Sequence, residues 1–363
     1  MSKFGAALPA IEVYFLLHGY MRALRSLLLL AFQSYPPLGS LPSRELLSSC
    51  WYPVLPVSEL RRGEVTPLTL SDTPFVAYEE ADGQCCVVYG VCPHQGAAFR
   101  KGSVNRLNDC LVCPYHAFHF RRGQFIQIPG SLPAPSATRG VPRVPCTVYE
   151  DVLFINPSVD LNQGEAAPPL EFPIPEASDP SFTSVSGERK FTAPAEVVTE
   201  NVLDMLHISY VHSFGNRELP LPFNVSFQKL APGWGRSTFL YHSGVTSLGR
   251  WFGVDELKVE NEYILPSTTV TRVTAGKIVK TVVTHCCPTG GGRSVLFWRV
   301  YRNFWGGSLV EKVLFDFVVR GLMELTLSED QKILKDVVPS RFDLRTPYDK
   351  TILSYRSAKR KWK

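Results

Sequence analysis

The sequence has no long uncharged apolar run and no large excess of charge of either sign. Its most apolar stretch, residues 14–32, contains His18, Arg22 and Arg25, and its uncharged part, residues 26–32, is far shorter than the roughly 20 residues that a membrane-spanning helix needs. The net charge is only +5, and five basic residues lie in the last eight positions. We interpret this basic tail as a solvated C-terminus. The rest of the chain is near neutral, so its charge does not imply a nucleic-acid partner.

The cysteines do not form the closely spaced framework of a disulfide-stapled secreted protein. There are nine of them, an odd number, and they are spread over 363 residues. Such usage is typical of reduced thiols in an intracellular setting. We therefore expect free thiols, some of which serve as metal ligands.

The N-terminal segment, residues 1–49, is poor in acidic side chains. Its first 43 residues hold one acid, Glu12, and three basic residues. This composition predicts either a targeting leader, which would direct the protein to a plastid or another organelle, or an amphipathic segment that packs on the body or lies on a membrane surface. Without a targeting leader we expect a cytoplasmic protein.

The remaining sequence divides into two parts joined by a proline-rich stretch. Residues 50–157 are short β-rich runs separated by turn residues, which predicts a small all-β domain. Residues 158–187 have the composition of a surface linker. Residues 188–363 combine alternating strands with helical patterns over 195–213 and 307–338. The second part is therefore predicted to be α+β, with an antiparallel sheet and a long C-terminal helix.

Two cysteines and two histidines form the first motif. Cys92-Pro-His94 is followed by Cys113-Pro-Tyr-His116, so that each short loop offers one thiolate and one imidazole. These ligand types bind zinc or iron. One interpretation is a closed Cys2His2 zinc site, and the other is a [2Fe–2S] cluster of the Rieske type, with cysteines on one iron and histidines on the other. Zinc fingers usually pair like ligands, so the mixed pairs favour the cluster.

A second motif lies in the helical pattern that opens the C-terminal part. It reads Asn201-x2-Asp204-x2-His207-x4-His212, and the three-residue spacing predicts Asp204 on the same helical face as His207. Two histidines on a helix are by themselves more typical of a packed core. With one carboxylate, however, two histidines form the facial triad that holds Fe(II) and leaves other coordination positions open.

The carboxylate of such a triad has to come from a distant part of the chain. We predict Asp330, in an acidic turn of the long C-terminal helix, with Glu329 and Asp336 as the alternatives. Taken alone, an acidic helical turn is more typical of a solvated surface, so the choice of Asp330 rests on the family resemblance described next.

The order and spacing of the two motifs resemble those of the Rieske non-haem iron oxygenases. The resemblance extends from about residue 51 to the C-terminus. It implies an all-β Rieske domain followed by a helix-grip (START-like) catalytic domain, usually assembled as a head-to-tail homotrimer. A weaker similarity points to the pheophorbide a oxygenase-like branch of this family.

The resemblance also implies a role for each motif residue. Four residues are similar to the ligands of the [2Fe–2S] cluster: Cys92, His94, Cys113 and His116. Three residues are similar to the ligands of the mononuclear Fe(II): His207, His212 and Asp330. Asp204 resembles the aspartate that bridges a cluster histidine of one subunit to an iron-ligating histidine of the next. Asn201 matches a polar residue beside the iron.

The implied activity is oxygenation of a small organic molecule, an apolar cyclic one, by hydroxylation, demethylation or desaturation. The family uses O2 and electrons from a ferredoxin or a reductase. Two other functions are weighed against it: a Rieske electron-transfer protein, which needs only the first motif, and a pigment- or lipid-binding helix-grip module without catalytic iron. The complete second motif argues against both. The leader and the basic tail are the features that would allow a peripheral membrane contact.

Departures from the family pattern lie beside the cluster ligands. Gln95 stands where many members have Arg, and Ala117-Phe118 where many have Gly-Trp. Neither loop carries the extra cysteine and the serine hydroxyl of the high-potential respiratory Rieske proteins. Because hydrogen bonds to the sulfurs raise the reduction potential, we expect a potential near the low end of the Rieske range, about −150 mV.

Overall fold

The computed structural model of the protein describes residues 46–128, 130, 140–337 and 344–362. The predicted leader, residues 1–49, lies outside the described residues except for its last four positions. Within the described ranges, eighteen strands form four sheets, and five α-helices pack on or beside them. The all-β first part and the α+β second part predicted from the sequence are both confirmed.

The N-terminal half consists of eleven short strands. These are β1 (Tyr52–Pro56), β2 (Thr66–Leu70), β3 (Thr73–Glu79), β4 (Cys85–Tyr89), β5 (Ser103–Asn105), β6 (Cys110–Val112), β7 (His119–Arg121), β8 (Gln124–Gln127), β9 (Arg143–Val144), β10 (Cys146–Tyr149) and β11 (Val152–Ile155). They form three antiparallel sheets, in the orders β1-β11-β10, β2-β3-β4-β9 and β5-β6-β7-β8.

Two loops with the same backbone conformation carry the first motif. One follows β4 and the other joins β6 to β7. In each, the N–H four residues after the cysteine donates to the carbonyl oxygen of that cysteine, from Gly96 to Cys92 and from Ala117 to Cys113, both at 3.0 Å. These two donors occupy equivalent positions, and both have positive φ, 73° for Gly96 and 55° for Ala117. The loops therefore match in backbone, although their Cys–His spacing differs by one residue.

The C-terminal half is built on one seven-stranded antiparallel sheet. Its strands are β12 (Thr183–Phe191), β13 (Phe223–Ala231), β14 (Trp234–His242), β15 (Glu256–Ile264), β16 (Thr268–Ala275), β17 (Ile278–Gly290) and β18 (Arg293–Arg302). The spatial order is β12-β18-β17-β16-β15-β14-β13, so the first strand closes one edge beside the last. Because β12 begins at residue 183, it lies partly inside the range predicted as linker, 158–187, and the linker is shorter than predicted.

Five helices accompany this sheet: α1 (Ala195–Leu203), α2 (His207–Val211), α3 (Leu248–Trp251), α4 (Leu309–Leu334) and α5 (Lys350–Lys361). The single helix predicted over 195–213 is interrupted at Asp204, whose extended backbone (φ −73°, ψ 121°) ends α1. Asp204 therefore does not share a helical face with His207, and that expectation is wrong. The predicted long C-terminal helix is confirmed as α4.

The described part of the basic tail is packed on one side and exposed to solvent on the other. It belongs to α5, whose Thr351 and Tyr355 are buried against the sheet. Arg356 donates to both carboxylate oxygens of Glu200 at 2.6 Å, and Lys359 donates to Glu196 at 2.8 Å. Both acids lie on α1, so the positive charge of the tail is partly matched inside the protein. The interpretation as a solvated C-terminus therefore fits the exposed Arg360 and Lys361 but not Arg356 and Lys359, which are paired.

Strands β17 and β18 contribute to two cores, one on each face of the sheet. Cys286 and Trp298 pack with α1 and α4 on one face. Their sequence neighbours Cys287 and Phe297 pack on the other face, against buried side chains of the N-terminal half such as Tyr52. This follows from the two-residue period of a strand. The two halves therefore share an apolar core.

Helix α4 is anchored at both ends. Ser308 caps its first turn by accepting a hydrogen bond from the N–H of Glu311. Fully buried Arg302 of β18 pairs with Asp316 at 2.7 Å. Near the other end, Arg189 of β12 donates to Glu324 and Gln331. These contacts fix the rotation of the helix, and hence the direction in which residues 329 and 330 point.

In the described part of the chain, none of the helices combines the length and the apolar character that crossing a membrane requires.

We expect Ala117→Gly to stabilise the N-terminal half by about 0.5–1 kcal/mol, because glycine adopts positive φ without the steric cost of a Cβ. Gly96→Ala should destabilise it to a similar extent, since a Cβ there meets open space and only the backbone conformation is strained. Denaturant unfolding followed by the visible circular dichroism of the cluster measures both effects. Ala98→Gly is the control because Ala98 has an ordinary φ of −75°. Equal stabilisation at 98 and 117 would contradict this account.

Candidate functional site

The first group of predicted ligands comes together at the tips of the two loops. The Cys92 and Cys113 side chains are buried, whereas His94 is exposed and His116 is half-buried. The two Nδ1 atoms of the histidines lie 3.1 Å apart. The loops thus present two thiols from inside the protein and two imidazole nitrogens from the surface, as a diiron cluster with unlike ligands on its two irons requires.

The chemistry of these donors suits a metal cluster. Burial is the main cause that raises the pKa of Cys92 to about 11, and the neighbouring thiol of Cys113 adds to it. A thiol in this environment ionises readily only beside a positive centre. Cys92 therefore fits an iron ion better than it fits thiol catalysis.

Aromatic rings cover the histidine edge. The ring of Phe118 stacks on His94 with centroids 4.5 Å apart, and Tyr115 stacks on His116 at 3.8 Å. Tyr115 is 62% exposed, so it extends the imidazole edge into solvent.

The second group lies where the break between α1 and α2 faces the C-terminal half of α4. His207, His212 and Asp330 each offer one donor atom, and these atoms all lie within 4.8 Å of one another. The Nε2 atoms of the two histidines are 3.2 Å apart. Oδ1 of Asp330 lies 3.7 Å from Nε2 of His207 and 3.5 Å from Nε2 of His212. The break in the helix is what turns the two imidazoles toward α4.

The state of the Asp330 carboxylate shows that these three side chains fit a metal ion. Oδ1 of Asp330 is inaccessible and has no hydrogen-bond partner among the described residues. Burial is the largest cause that lowers the pKa of His212, which favours the neutral imidazole that a metal needs. Two imidazoles and one carboxylate oxygen that converge in this way fit a divalent cation such as Fe(II).

Hydrogen bonds to the outer ring nitrogens orient both imidazoles. Nδ1 of His207 donates to the backbone carbonyl of Asp204 at 2.7 Å, and Nδ1 of His212 donates to Oε2 of Glu329 at 3.0 Å. Each bond leaves Nε2 free to face the centre of the site. Such outer contacts fix the tautomer and the ring orientation of metal-bound histidines.

The other predicted site residues lie nearby in different ways. The side chain of Asp204 accepts a hydrogen bond from the N–H of Leu206 at 2.8 Å, so only its backbone contacts His207. Asn201 lies on α1, and its carbonyl accepts a bond from the N–H of Asp204. Asp336 follows the end of α4 and is 78% exposed, so it does not join the group.

Sequence reasoning missed the position of Glu329, which it weighed only as an alternative metal ligand. Its carboxylate instead holds the outer nitrogen of His212. It also missed Phe214, whose ring stacks on His212 with centroids 4.9 Å apart. The two consecutive acids Glu329 and Asp330 were a usable signal. Adjacent helical positions can place one carboxylate at Nδ1 and the other at Nε2 of the same histidine, here His212.

Two family profiles match the chain, one over each half. Residues 50–144 match the Rieske [2Fe–2S] domain, and residues 191–362 match the vanillate O-demethylase oxygenase C-terminal domain.

Among curated relatives, the chain is 24% identical over 336 residues to the protochlorophyllide-dependent translocon component 52 of Arabidopsis thaliana, covering 78% of this chain and 58% of that protein. It is 27% identical over 220 residues to the pheophorbide a oxygenase of Oryza sativa subsp. japonica, covering 56% and 40%. The chain therefore spans about half the length of the curated relatives it matches.

Solved structures support the same fold. Dicamba monooxygenase bound to dicamba superposes with a TM-score of 0.69 at 19% identity, over 87% of this chain and 98% of that one. Pseudomonas putida CBB5 NdmA with caffeine gives a TM-score of 0.69 at 19% identity, over 85% and 89%. The cofactors common to such proteins are a [2Fe–2S] cluster and a mononuclear iron, and both groups of converging side chains fit them. The two matched domains, in this order along one chain, show that it belongs to the Rieske-type non-haem iron oxygenases.

Proposed function

We propose that this protein is an oxygenase that uses O2 and electrons from a ferredoxin or a reductase to oxidise an organic, apolar cyclic substrate. The observation that carries the proposal is the convergence of His207, His212 and Asp330 in a chain that also holds the Rieske loops. An electron carrier needs no second metal centre, and a pigment- or lipid-binding module needs neither centre. The second group of donors therefore favours an oxygenase over both.

Each motif residue has a role in this proposal. Four side chains hold the [2Fe–2S] cluster: Cys92, His94, Cys113 and His116. Three side chains hold the iron: His207, His212 and Asp330. When bound, the cluster supplies single electrons and the iron activates O2. The protein orients the two imidazoles through the Asp204 carbonyl and the Glu329 carboxylate, and it shields the carboxylate of Asp330 from water.

We further propose that Asp204 connects neighbouring subunits of a head-to-tail homotrimer. Its backbone holds His207, and its half-buried carboxylate accepts one hydrogen bond from Leu206. A carboxylate has acceptor capacity for a further N–H, which an exposed cluster histidine of a second subunit would supply. Asp204 would then orient an imidazole at each metal centre. Asn201, three residues earlier on α1, is the polar residue proposed beside the iron.

The substrate class rests on size and apolarity. The relatives' names include a pheophorbide a oxygenase and a cholesterol 7-desaturase. The molecules in both names are fused-ring systems that are largely apolar. We therefore propose a bulky apolar ring system, and leave hydroxylation, demethylation and desaturation as the three forms of the oxidation.

A peripheral membrane contact suits such a substrate, and the first turns of α4 offer a surface for it. Five apolar side chains that are each at least 58% exposed recur there with helical spacing: Leu309, Val310, Val313, Leu314 and Phe317. We call this surface the α4 apolar face. Trp305 stacks on Phe315 of the same helix and contacts the half-exposed Trp251. Aromatic residues beside an exposed apolar face are typical of membrane interfaces.

The metal assignment predicts about three irons per chain, two in the cluster and one in the second site. Asp330→Asn should lower this to about two while the visible spectrum of the cluster is kept, because the site loses its only anionic ligand. Glu329→Gln should weaken binding of the third iron by about 10–100-fold, since the ring of His212 is then less well oriented. Iron analysis and Fe(II) titration measure both changes.

Asp336→Asn is the matched control for this series, because it removes an exposed acid close to the end of the same helix. It should leave the iron content unchanged. A third iron bound equally well by Asp330→Asn would contradict the assignment, and zinc in place of all iron would contradict the proposed function.

Asp204→Asn should keep both metals and lower the rate at which the reduced cluster is reoxidised by about 10–100-fold, because the amide oxygen is a weaker acceptor than a carboxylate for the cluster histidine of the neighbouring subunit, while the backbone bond to His207 is kept. The rate can be followed by visible absorbance with O2 and pheophorbide a as the probe substrate. Asp255→Asn, at a position 86% exposed, is the control. An unchanged rate in the Asp204 variant, with iron content verified, would refute the bridging role.

The α4 apolar face predicts binding to lipid vesicles. Replacing both Val313 and Phe317 with Glu should lower the affinity of the full chain for phosphatidylcholine–phosphatidylglycerol vesicles by at least about tenfold, since two buried apolar contacts are lost. Flotation measures the bound fraction. Leu107→Glu, at an exposed apolar residue of the β5–β6 turn, is the control. A double variant that floats normally but no longer forms trimers would assign the face to a subunit contact instead.

A further inference from the structure

A pair of cysteines outside both metal sites lies face to face in the N-terminal half. Cys85 begins β4, and Cys146 begins β10 directly after β9. Strands β4 and β9 pair Val87 with Val144 and Val88 with Arg143, and Cys85 and Cys146 lie just beyond this pairing, where the chain passes through Pro145 into β10. The thiol of Cys146 donates to the carbonyl oxygen of Cys85 at 3.1 Å. This contact brings the Cys146 sulfur to the backbone of Cys85, as a disulfide between neighbouring residues of adjacent strands requires.

The neighbouring cysteine on β4 does not compete for this position. Cys85 and Cys146 both pack at the edge of the core that the two halves share, and both are half-buried. Cys86 points to the opposite face of the strand and is fully buried in the core behind the Rieske loops. The alternation of the strand thus separates Cys85 from Cys86, although they are adjacent in sequence.

The two thiols are unequal in acidity. A hydrogen bond from Cys85 is the largest cause that lowers the pKa of Cys146, and the positive charge of Arg143 acts in the same direction against burial. The same bond and burial raise the pKa of Cys85. An acidic thiol beside one that stays protonated is the arrangement in which the first reacts and the second resolves the product.

We propose that Cys85 and Cys146 are a redox-active pair that forms a reversible disulfide when a peroxide oxidises the protein. The thiolate of Cys146 attacks hydrogen peroxide, breaks its O–O bond and becomes a sulfenic acid, with hydroxide as the leaving group. The sulfur of Cys85 then displaces the sulfenic oxygen, which leaves as water. In total, two thiols lose two electrons and two protons, and one peroxide is reduced to two waters. A dithiol reverses the reaction by exchange.

The position of the pair gives this bond a defined effect. Both Rieske loops, with all four cluster ligands, lie between residues 85 and 146 in the sequence. A bond between these two cysteines closes that segment at its ends. Closing a loop restricts the unfolded chain more than the folded one, so the oxidised form should resist unfolding more strongly than the reduced form.

Peptide mapping of the full chain tests the proposal. After treatment with hydrogen peroxide, blocking of free thiols under denaturing conditions and tryptic digestion, we expect the peptides that contain Cys85 and Cys146 to be joined and the free thiols of both to be lost. Dithiothreitol should restore both. The denaturant midpoint of the N-terminal half should rise on oxidation and return on reduction.

Variants assign the linkage, because Cys86 and Cys92 lie in the same tryptic peptide as Cys85. Cys85→Ser and Cys146→Ser should each abolish the linked peptide, whereas Cys86→Ala is the matched control and should keep it. The proposal is overturned if both thiols of the wild-type chain remain free after peroxide treatment. It is also overturned if Cys146 is still linked to the other peptide in Cys85→Ser. Neither result depends on oxygenase activity, so a failure here leaves the proposed function untouched.

Discussion

A carboxylate oxygen that is buried without a hydrogen bond has to be compensated by positive charge, and Oδ1 of Asp330 is in this position. Leaving a buried polar group unpaired costs about 1–3 kcal/mol, and more when the group is charged. The Nε2 atoms of two imidazoles converge on the same place and are further donors to a cation. A divalent cation satisfies all three donors together. The buried Asp330 oxygen therefore indicates a metal site more directly than the sequence motif does.

Much of the surrounding structure serves to hold that oxygen opposite the two imidazoles. The interruption of the helix at Asp204 turns the histidines, and the carbonyl of the same residue holds one of them. On the other side, Arg302 and Arg189 fix α4 against the sheet, so that Asp330 and Glu329 face inward. The apolar core beneath α4 keeps water away from these contacts. The site thus depends on packing that is remote in sequence.

The sequence predicted what depends on local spacing. The Cys–His pairs, the alternating strands and the long helix are short-range patterns, and the structure has them where they were expected. The spacing of apolar residues over 195–213 did not reveal the break at Asp204, because this spacing continues through the break. The interruption is favoured by the contacts that both histidines make with α4, which lies far away in sequence. The choice between Glu329 and Asp330 likewise required the rotation of α4. The packing of α5 depends on Glu196 and Glu200 of α1, which no local pattern connects with a basic tail.

Strands β17 and β18 have a consequence for the evolution and engineering of this chain. Consecutive residues, Cys286 and Cys287 on one strand and Phe297 and Trp298 on the other, belong to different cores. A cut through the proline-rich connection would therefore strip a wall of apolar side chains from both fragments and expose them to water. Recombination with a foreign partner would have to rebuild these apolar contacts as well as the connecting segment.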